Sequence, residues 1–455
     1  MPAAPPPSFP RGMALLVAGA LFMEILDATI IAPAIPAIAA DLGVSAVDVN
    51  VAISAYLLTV AVLIPASGWI ADRVGIRRVF IAAIAVFTVA SVGCAVSTSL
   101  PMLVAMRVLQ GIGGAMMVPV GRLAVLRYSA KADLVRAIAL LTWPALTAPV
   151  VAPALGGAAA TLGSWRWIFF VNIPIGILGI LFAARLIRGG PAPAVAPFDW
   201  RGLLLLGSGI TAALVALEHI RVSGTDWLRV GLGVGAAIGL LAAAIWHLRR
   251  TPTPLMRLAV LRVRTLRITV SGGSLYRLVI TAVPFLLPLL FQLEFGWSAF
   301  TAGLMVSALF LGNLTIKPVT TPLMRRFGIK RVLAVNSALS VAWFAVLAAL
   351  QPETPVAAIA AILYVSGALR SIGFTAYNSL AFADVDGDDL THANTLNATV
   401  QELGAGLGIA VAALLLTVST SYAWTFLALG ALLALTLIET LRLPGDAGAH
   451  VSGAR

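Results

Sequence analysis

Fourteen stretches of about twenty residues, each dominated by apolar side chains, recur along this 455-residue chain, and no other feature limits its fold so sharply. They run approximately 13–34, 49–70, 79–98, 101–125, 137–161, 167–187, 202–220, 229–248, 268–292, 300–321, 332–350, 354–380, 393–418 and 422–441. A helix needs about 20 apolar residues to cross the hydrocarbon of a bilayer. The chain is 60% hydrophobic and 11% charged, where a soluble domain carries roughly a quarter charged residues, so water cannot surround it. These runs predict an all-α polytopic membrane protein of fourteen transmembrane helices.

Thirty Lys+Arg against eighteen Asp+Glu give a net charge of +12, a balance that in a soluble chain suggests a nucleic-acid partner. Placement argues otherwise. With the N-terminus inside, 22 of the basic residues fall in the inner segments and 3 in the outer loops, the positive-inside bias that puts both termini in the cytoplasm. The lone Cys94 cannot form an internal disulfide, and no cysteine/histidine cluster suits zinc or an iron–sulfur centre. Asp384-Val-Asp-Gly-Asp-Asp389 resembles the start of a calcium loop but lacks its closing glutamate and reads as a solvated inner loop. The absence of a nucleotide-binding loop and of a nucleophile–base set disfavours an enzyme and a nucleotide-driven pump, and no cofactor is implied. The proline-rich opening, Met1 to Pro10, reads as a disordered tail.

The sequence also repeats. Gly75-Ile-Arg-Arg-Val79 returns 253 residues later as Gly328-Ile-Lys-Arg-Val332, each time in a basic gap after the second helix of a group. Such duplication marks transporters that rock two bundles about a midplane site. The organisation it implies is a tail (1–12), a six-helix bundle (13–190), two inserted helices (191–250), a second six-helix bundle (251–443) and a tail (444–455).

Several motifs carry a resemblance. Gly68-Trp-Ile-Ala-Asp-Arg-Val-Gly-Ile-Arg-Arg78 resembles the loop between helices 2 and 3 of the major facilitator superfamily, and Arg107-Val-Leu-Gln-Gly-Ile-Gly-Gly114 its helix 4 signature. Ala148-Pro-Val-Val-Ala-Pro-Ala-Leu-Gly-Gly157 is similar to the antiporter motif of helix 5, with Ala148 and Ala152 where the family usually has glycine. Trp165-Arg-Trp-Ile-Phe-Phe-Val-Asn-Ile-Pro-Ile-Gly176 and Leu26-Asp-Ala-Thr-Ile-Ile resemble the fourteen-helix drug:proton antiporters of the EmrB/QacA type. Within that branch, Phe22-Met-Glu-Ile-Leu-Asp27 and Ala393-Asn-Thr-Leu-Asn-Ala-Thr-Val-Gln-Glu-Leu-Gly404 look like the MdtD/HsrA-like subgroup. The resemblance implies a major facilitator fold and a proton-driven exporter.

Each motif also has a mechanical reading. Asp72, with Arg73, Gly75, Arg77 and Arg78, can latch two helices in one access state, or can belong to a merely solvated loop; in the second half Arg325 stands in its place. Pro149 and Pro153 favour bending of helix 5, and Gly156 with Gly157 permits close backbone approach, as a gate or as ordinary small-residue packing.

Charges buried in lipid cost at least ~2.5–3.5 kcal/mol each and demand a role or a partner. Glu24 and Asp27, three apart on helix 1, share a face, and a buried carboxylate beside a like charge is poised to take and release a proton. Arg107 on helix 4 is the natural competitor for Asp27, either as a switch or as one half of a static ion pair. Arg277, Lys317 and Arg370 fall inside helices of the second half, with Glu402 the nearest acid. They bind cargo, favouring an anionic or zwitterionic compound, or they only hold the bundle together, Lys317 being the one best placed to reach the inner surface. Gln110, Asn313, Tyr377, Asn378, Asn397 and Gln401 complete the polar candidates for substrate binding, and Trp143, Tyr276, Phe285, Phe291 and Phe374 are candidates for an apolar wall. The two inserted helices look like peripheral elements facing lipid.

The sequence therefore points to a monomeric, multi-pass protein of the bacterial inner membrane that exchanges protons for small amphipathic drugs, with no nucleic-acid partner. An exporter of an organic anion or metal-citrate-like metabolite, and a non-transporting sensor or scaffold, are the alternatives.

Overall fold

Backbone groups inside a bilayer find no water to bond, so each apolar run closes its own hydrogen bonds as a helix. The computed structural model describes residues 11–128, 134–187, 197–220, 227–385 and 389–443. Its helices in chain order are α1 (Arg11–Leu42), α2 (Asn50–Val74), α3 (Ile76–Ala95), α4 (Leu100–Tyr128), α5 (Leu134–Leu162), α6 (Trp167–Leu186) and α7 (Trp200–Ile220). They continue as α8 (Trp227–Arg250), α9 (Arg264–Glu294), α10 (Ala299–Thr315 with Lys317–Phe327), α11 (Ile329–Ala348), α12 (Val356–Ala381), α13 (Leu390–Ser419) and α14 (Tyr422–Leu441). The tail at Met1 to Pro10 and the centre of the calcium-like loop, residues 386–388, lie outside the described residues.

Among the described residues, twelve helices are long and apolar enough to cross a membrane, and α10 makes a thirteenth if its two pieces count as one span. The expected fourteenth falls on α7, whose described apolar stretch, Trp200–Ala216, is shorter than the others. The pieces of α10 meet at a 47° bend beside Pro318, whose ring and missing N–H interrupt the helical ladder. Proline also breaks α1, where Ala32–Ala34 tightens into a single 3-10 turn. In α9, Pro284 and Pro288 precede a π-helical turn at Leu290–Glu294.

The packing repeats as the sequence does. In the first bundle α1 lies on α5, α2 on α4 and α3 on α6; in the second, α9 lies on α13, α10 on α12 and α11 on α14. Two seams join the bundles, α2 with α13 and α5 with α10, and a twofold relation between the halves exchanges one seam for the other. Helix α7 packs on α8 and also touches α2 and α13, where Leu58, Ile210, Leu214 and Ala410 share one apolar cluster. Helix α8 turns Leu232, Ile238 and Trp246 outward. The inserted pair is thus peripheral along α8, while α7 covers a seam.

The repeated glycines have a shared job. Gly75 and Gly328 adopt φ of +99° and +77°, a region that side chains rarely enter, and each ends one helix and begins the next. Each donates its N–H four residues back, to Ala71 and Met324, both at 2.9 Å, and accepts from Val79 and Val332. The basic residues after them are equivalent too: Arg77 donates to the Ala184 carbonyl near the end of α6 (2.6 Å), and Lys330 to the Leu443 carbonyl just past α14 (2.5 Å). Each half thus clamps its own last helix, where a cation suits the free carbonyls of a helix C-terminus.

At the opposite end the halves meet. Gly156 lies against the Ile30 carbonyl within the first bundle, while Gly157 abuts the Ala299 carbonyl and Gly303 the Pro153 carbonyl across the seam, at each of which a Cβ would collide. The Phe300 N–H donates to Thr161 Oγ1 (3.1 Å) and Gln292 to the Pro33 carbonyl (2.9 Å). The largest apolar core runs through this end without interruption from one bundle into the other, and Ala148 and Ala152 are fully buried in it. The alanines that replace the family's glycines are accommodated without opening the packing.

Candidate functional site

Helix α1 carries two acids that part company. Because residues three apart on a helix differ by about 60° in direction, Asp27 turns into the interior of the first bundle while Glu24 reaches its edge. Asp27 and Arg107 are both fully buried, and Arg107 Nη1 stands 2.5 Å from Asp27 Oδ2. The second carboxylate oxygen accepts from Gln110 Nε2 (2.9 Å) and Asn172 Nδ2 (2.7 Å). Gln110 also accepts from Arg107 (2.6 Å) and donates to Ser91 (2.8 Å), so five side chains from α1, α3, α4 and α6 form one network. Every member belongs to the first bundle.

Arg107 makes further contacts, among them one over the Phe169 ring at 5.9 Å. Its Nε donates to the Ala52 carbonyl at 3.4 Å, and its guanidinium lies over the Tyr56 ring at 4.3 Å, a cation–π pair inside a low dielectric. Tyr56 is buried, with its hydroxyl beside Glu24: both oxygens gather at Gly114, whose missing side chain leaves them room on α4. Tyr56 therefore stands between the closed ion pair and the more open acid.

Glu24 is partly exposed and interacts electrostatically with Glu402 of the second bundle, with Arg122 and with Asp27. Glu402 in turn lies 3.8 Å from Arg277, and these two side chains are 29% and 21% exposed. An acid from each half thus faces the crevice between the bundles. Asp27, proposed from the sequence as a proton site, is closed off from water in this conformation; Glu24 and Glu402 are the partly exposed carboxylates.

On the second-bundle wall, Arg277 lies over the Phe374 ring at 4.9 Å and Lys317 at 6.0 Å. Arg370 lies over Phe310 at 5.2 Å. Lys317 does not reach for the surface: its Nζ turns inward to donate to Thr375 (3.0 Å), because the bend of α10 aims it at α12. Asn313 is partly exposed nearby on α10.

Other sequence candidates are held elsewhere. Gln110 belongs to the Asp27 network. Tyr377 is buried against Thr440, and Gln401 donates to Asn378 (3.0 Å) and Asn397 (3.4 Å), bonds that tie α12 to α13 and α14. Phe285 and Phe291 lie in the apolar core, Tyr276 is buried but lines a cavity inside the second bundle together with Arg370, and Phe374 is partly exposed. Trp143 is 64% exposed. Asp72 is partly buried at the end of α2, beside Trp69, which packs on Phe198 and Trp200 at the start of α7. Tyr56, Ser91 and Asn172 are partners of the buried pair that carry no signal in the sequence beyond Asn172's place in the Trp165–Gly176 motif.

Two bundles related by a repeat, a closed seam at one end and charges buried within apolar helices fit a transporter. The description of the major facilitator superfamily matches residues 17–382 and again 269–450. The chain belongs to this superfamily. It is 36% identical to a putative multidrug resistance protein MdtD of Klebsiella pneumoniae (strain 342), over 98% of this chain and 97% of that protein. Among solved structures, a POT family transporter in complex with 5-aminolevulinic acid superposes with a TM-score of 0.72 at 15% identity, covering 96% of both chains. A D-xylose-proton symporter gives 0.69 at 15% identity, covering 97% of this chain and 99% of that one. The protein is a multi-pass membrane transporter of this superfamily and not an enzyme.

Proposed function

We propose that this transporter is a proton-coupled exporter of drugs or other small amphipathic compounds across the bacterial inner membrane, working by alternating access with both termini in the cytoplasm. The observation that carries the reading is that each half holds a partly exposed carboxylate at the bundle interface, Glu24 and Glu402, near enough to act on one another electrostatically, while the seam between the bundles is closed at its far end. Two carboxylates so placed attract either a proton or a cationic group, and charge makes the two mutually exclusive. Mutual exclusion at one site is the linkage an antiporter needs.

The roles divide accordingly. Glu24 exchanges the proton in this conformation, in which the basic ends of the bundles face the cytoplasm. Asp27 and Arg107, closed off with Gln110 and Asn172, keep the first bundle rigid, and Tyr56 carries the state of Glu24 to Arg107 through its ring. Helix α5, with Pro149, Pro153, Gly156 and Gly157, is the outer seal that must open in the other access state. Asp72 and its neighbours Arg73, Gly75, Arg77 and Arg78 latch the inner end. The driving force is the proton gradient, and a monomer suffices.

Inverted vesicles or proteoliposomes with an imposed pH gradient test this. The wild type should accumulate an amphipathic cation, and Glu24→Gln should lose the dependence on the gradient. Gradient-driven transport of wild-type strength in Glu24→Gln would remove the assignment.

A second reading, export of an organic anion, is favoured by Arg277, Lys317 and Arg370 on the second-bundle wall. Competition between an organic anion and a lipophilic cation for the same transport separates the two.

A further inference from the structure

The charges along the crevice are divided into an acidic and a basic end. Glu24 faces it from the first bundle, with Glu402 opposite; Arg277, Arg370 and Lys317 line the second-bundle wall beyond Glu402, near enough to act on one another, Arg277 on Arg370 and Arg370 on Lys317. Glu402 is 3.8 Å from Arg277, and among the described residues neither Arg370 nor Lys317 has a carboxylate at ion-pair distance. Arg370 Nη1 and Arg277 Nε are buried without any hydrogen-bond partner. Three mutually repelling cations with one acid between them leave positive charge unanswered in a low-dielectric setting, which an anionic group relieves. Between the poles stands the partly exposed Phe374, flanked by Arg277 and Lys317, an apolar surface for the body of a ligand.

We infer that the crevice binds an amphipathic zwitterion, its ammonium group at Glu24 and Glu402, its aromatic or aliphatic body over Phe374 and its carboxylate at Arg370 and Lys317. This rests on the antiport reading and sharpens it. The ammonium end displaces the proton, while the carboxylate end sets which compounds are held. A purely anionic ligand lacks the first contact, and a purely cationic one faces three like charges.

Three compounds of one shape test the inference: para-(aminomethyl)benzoate, para-methylbenzylamine and para-methylbenzoate, titrated calorimetrically against the full chain in lipid nanodiscs with no pH gradient. The zwitterion should bind roughly tenfold or more tighter than either singly charged compound, as expected when a charge-assisted hydrogen bond is gained at each end. Arg370→Gln should bring the zwitterion down to the level of para-methylbenzylamine while leaving that amine's own affinity unchanged or improved. Equal affinities for the three, or no measurable binding of any, would overturn the inference, and that comparison needs no variant to fold. Because no gradient is present, a negative result leaves proton coupling untouched. Conversely, gradient-driven transport of wild-type strength in Glu24→Gln, with the zwitterion preference intact in the wild type, would fault the antiport reading alone.

Discussion

At the scale of single residues, Asp27 and Glu24 look alike in the sequence and differ in the fold. Removing the charge of Asp27 leaves Arg107 buried without its counter-ion, a change that typically costs about 3–5 kcal/mol. Asp27→Asn should therefore lower the thermal unfolding temperature markedly in detergent, while Glu24→Gln, at a partly exposed site, should leave it nearly unchanged; equal effects would contradict the division of roles. Asp199, just outside the membrane helices, offers a pH test. Burial pushes its carboxyl up, but bonds from His247 (2.7 Å) and from the N–H groups of Gly202 (2.8 Å) and Leu255 (3.0 Å) outweigh that and hold it below its ordinary value. A depressed carboxyl stabilises the fold above its unfolded value, about 3.9, and that contribution is lost as pH falls through the folded value. Asp199→Asn should thus lower the unfolding temperature near neutrality, and the difference from wild type should shrink as the medium is acidified below about pH 4. A difference independent of pH would rule out the ionised form as the source.

At the scale of helices, close approach at α5 is the main device. A methyl group at Gly157 meets the Ala299 carbonyl, and one at Gly303 meets the Pro153 carbonyl, so neither can be absorbed by a flexible side chain. Gly157→Ala and Gly303→Ala should each cost about 1–3 kcal/mol of packing in the state described here. If this seal opens during the cycle, both variants should shift the protein toward the other access state, read as faster labelling of a cysteine introduced at Thr161. Unchanged labelling would mean that the seam is static. Much of this level was legible: the paired prolines and glycines of α5 and the repeated Gly75 and Gly328 announced a close contact and two tight turns, because those residue types answer to backbone geometry that few others satisfy. The bend of α10 was less legible. Apolar composition reports that a segment avoids water and says little about whether it is straight or how far its helix runs.

At the scale of the whole molecule, the charges inside apolar runs were conspicuous, and Asp27 and Arg107 do meet. What the sequence could not supply was the rotation of α1 about its axis, which decides that Asp27 is closed in and Glu24 faces the second bundle. Nor could it distinguish Tyr56, Ser91 and Asn172 from other polar residues in membrane helices, since neutral side chains pay little for burial and leave no signature until their partners are located. Gln401, Asn378 and Asn397 illustrate the reverse: conspicuous in the sequence, they bond to one another and tie α12 to α13. The account as a whole turns on where the proton is exchanged. The most direct measurement is proton release on adding an amphipathic amine to the purified protein in weakly buffered solution with a pH-sensitive dye. Wild type and Asp27→Asn should release protons on binding, and Glu24→Gln should bind the amine without releasing any. Release of wild-type size from Glu24→Gln, or its disappearance only in a well-folded Asp27→Asn, would contradict the account.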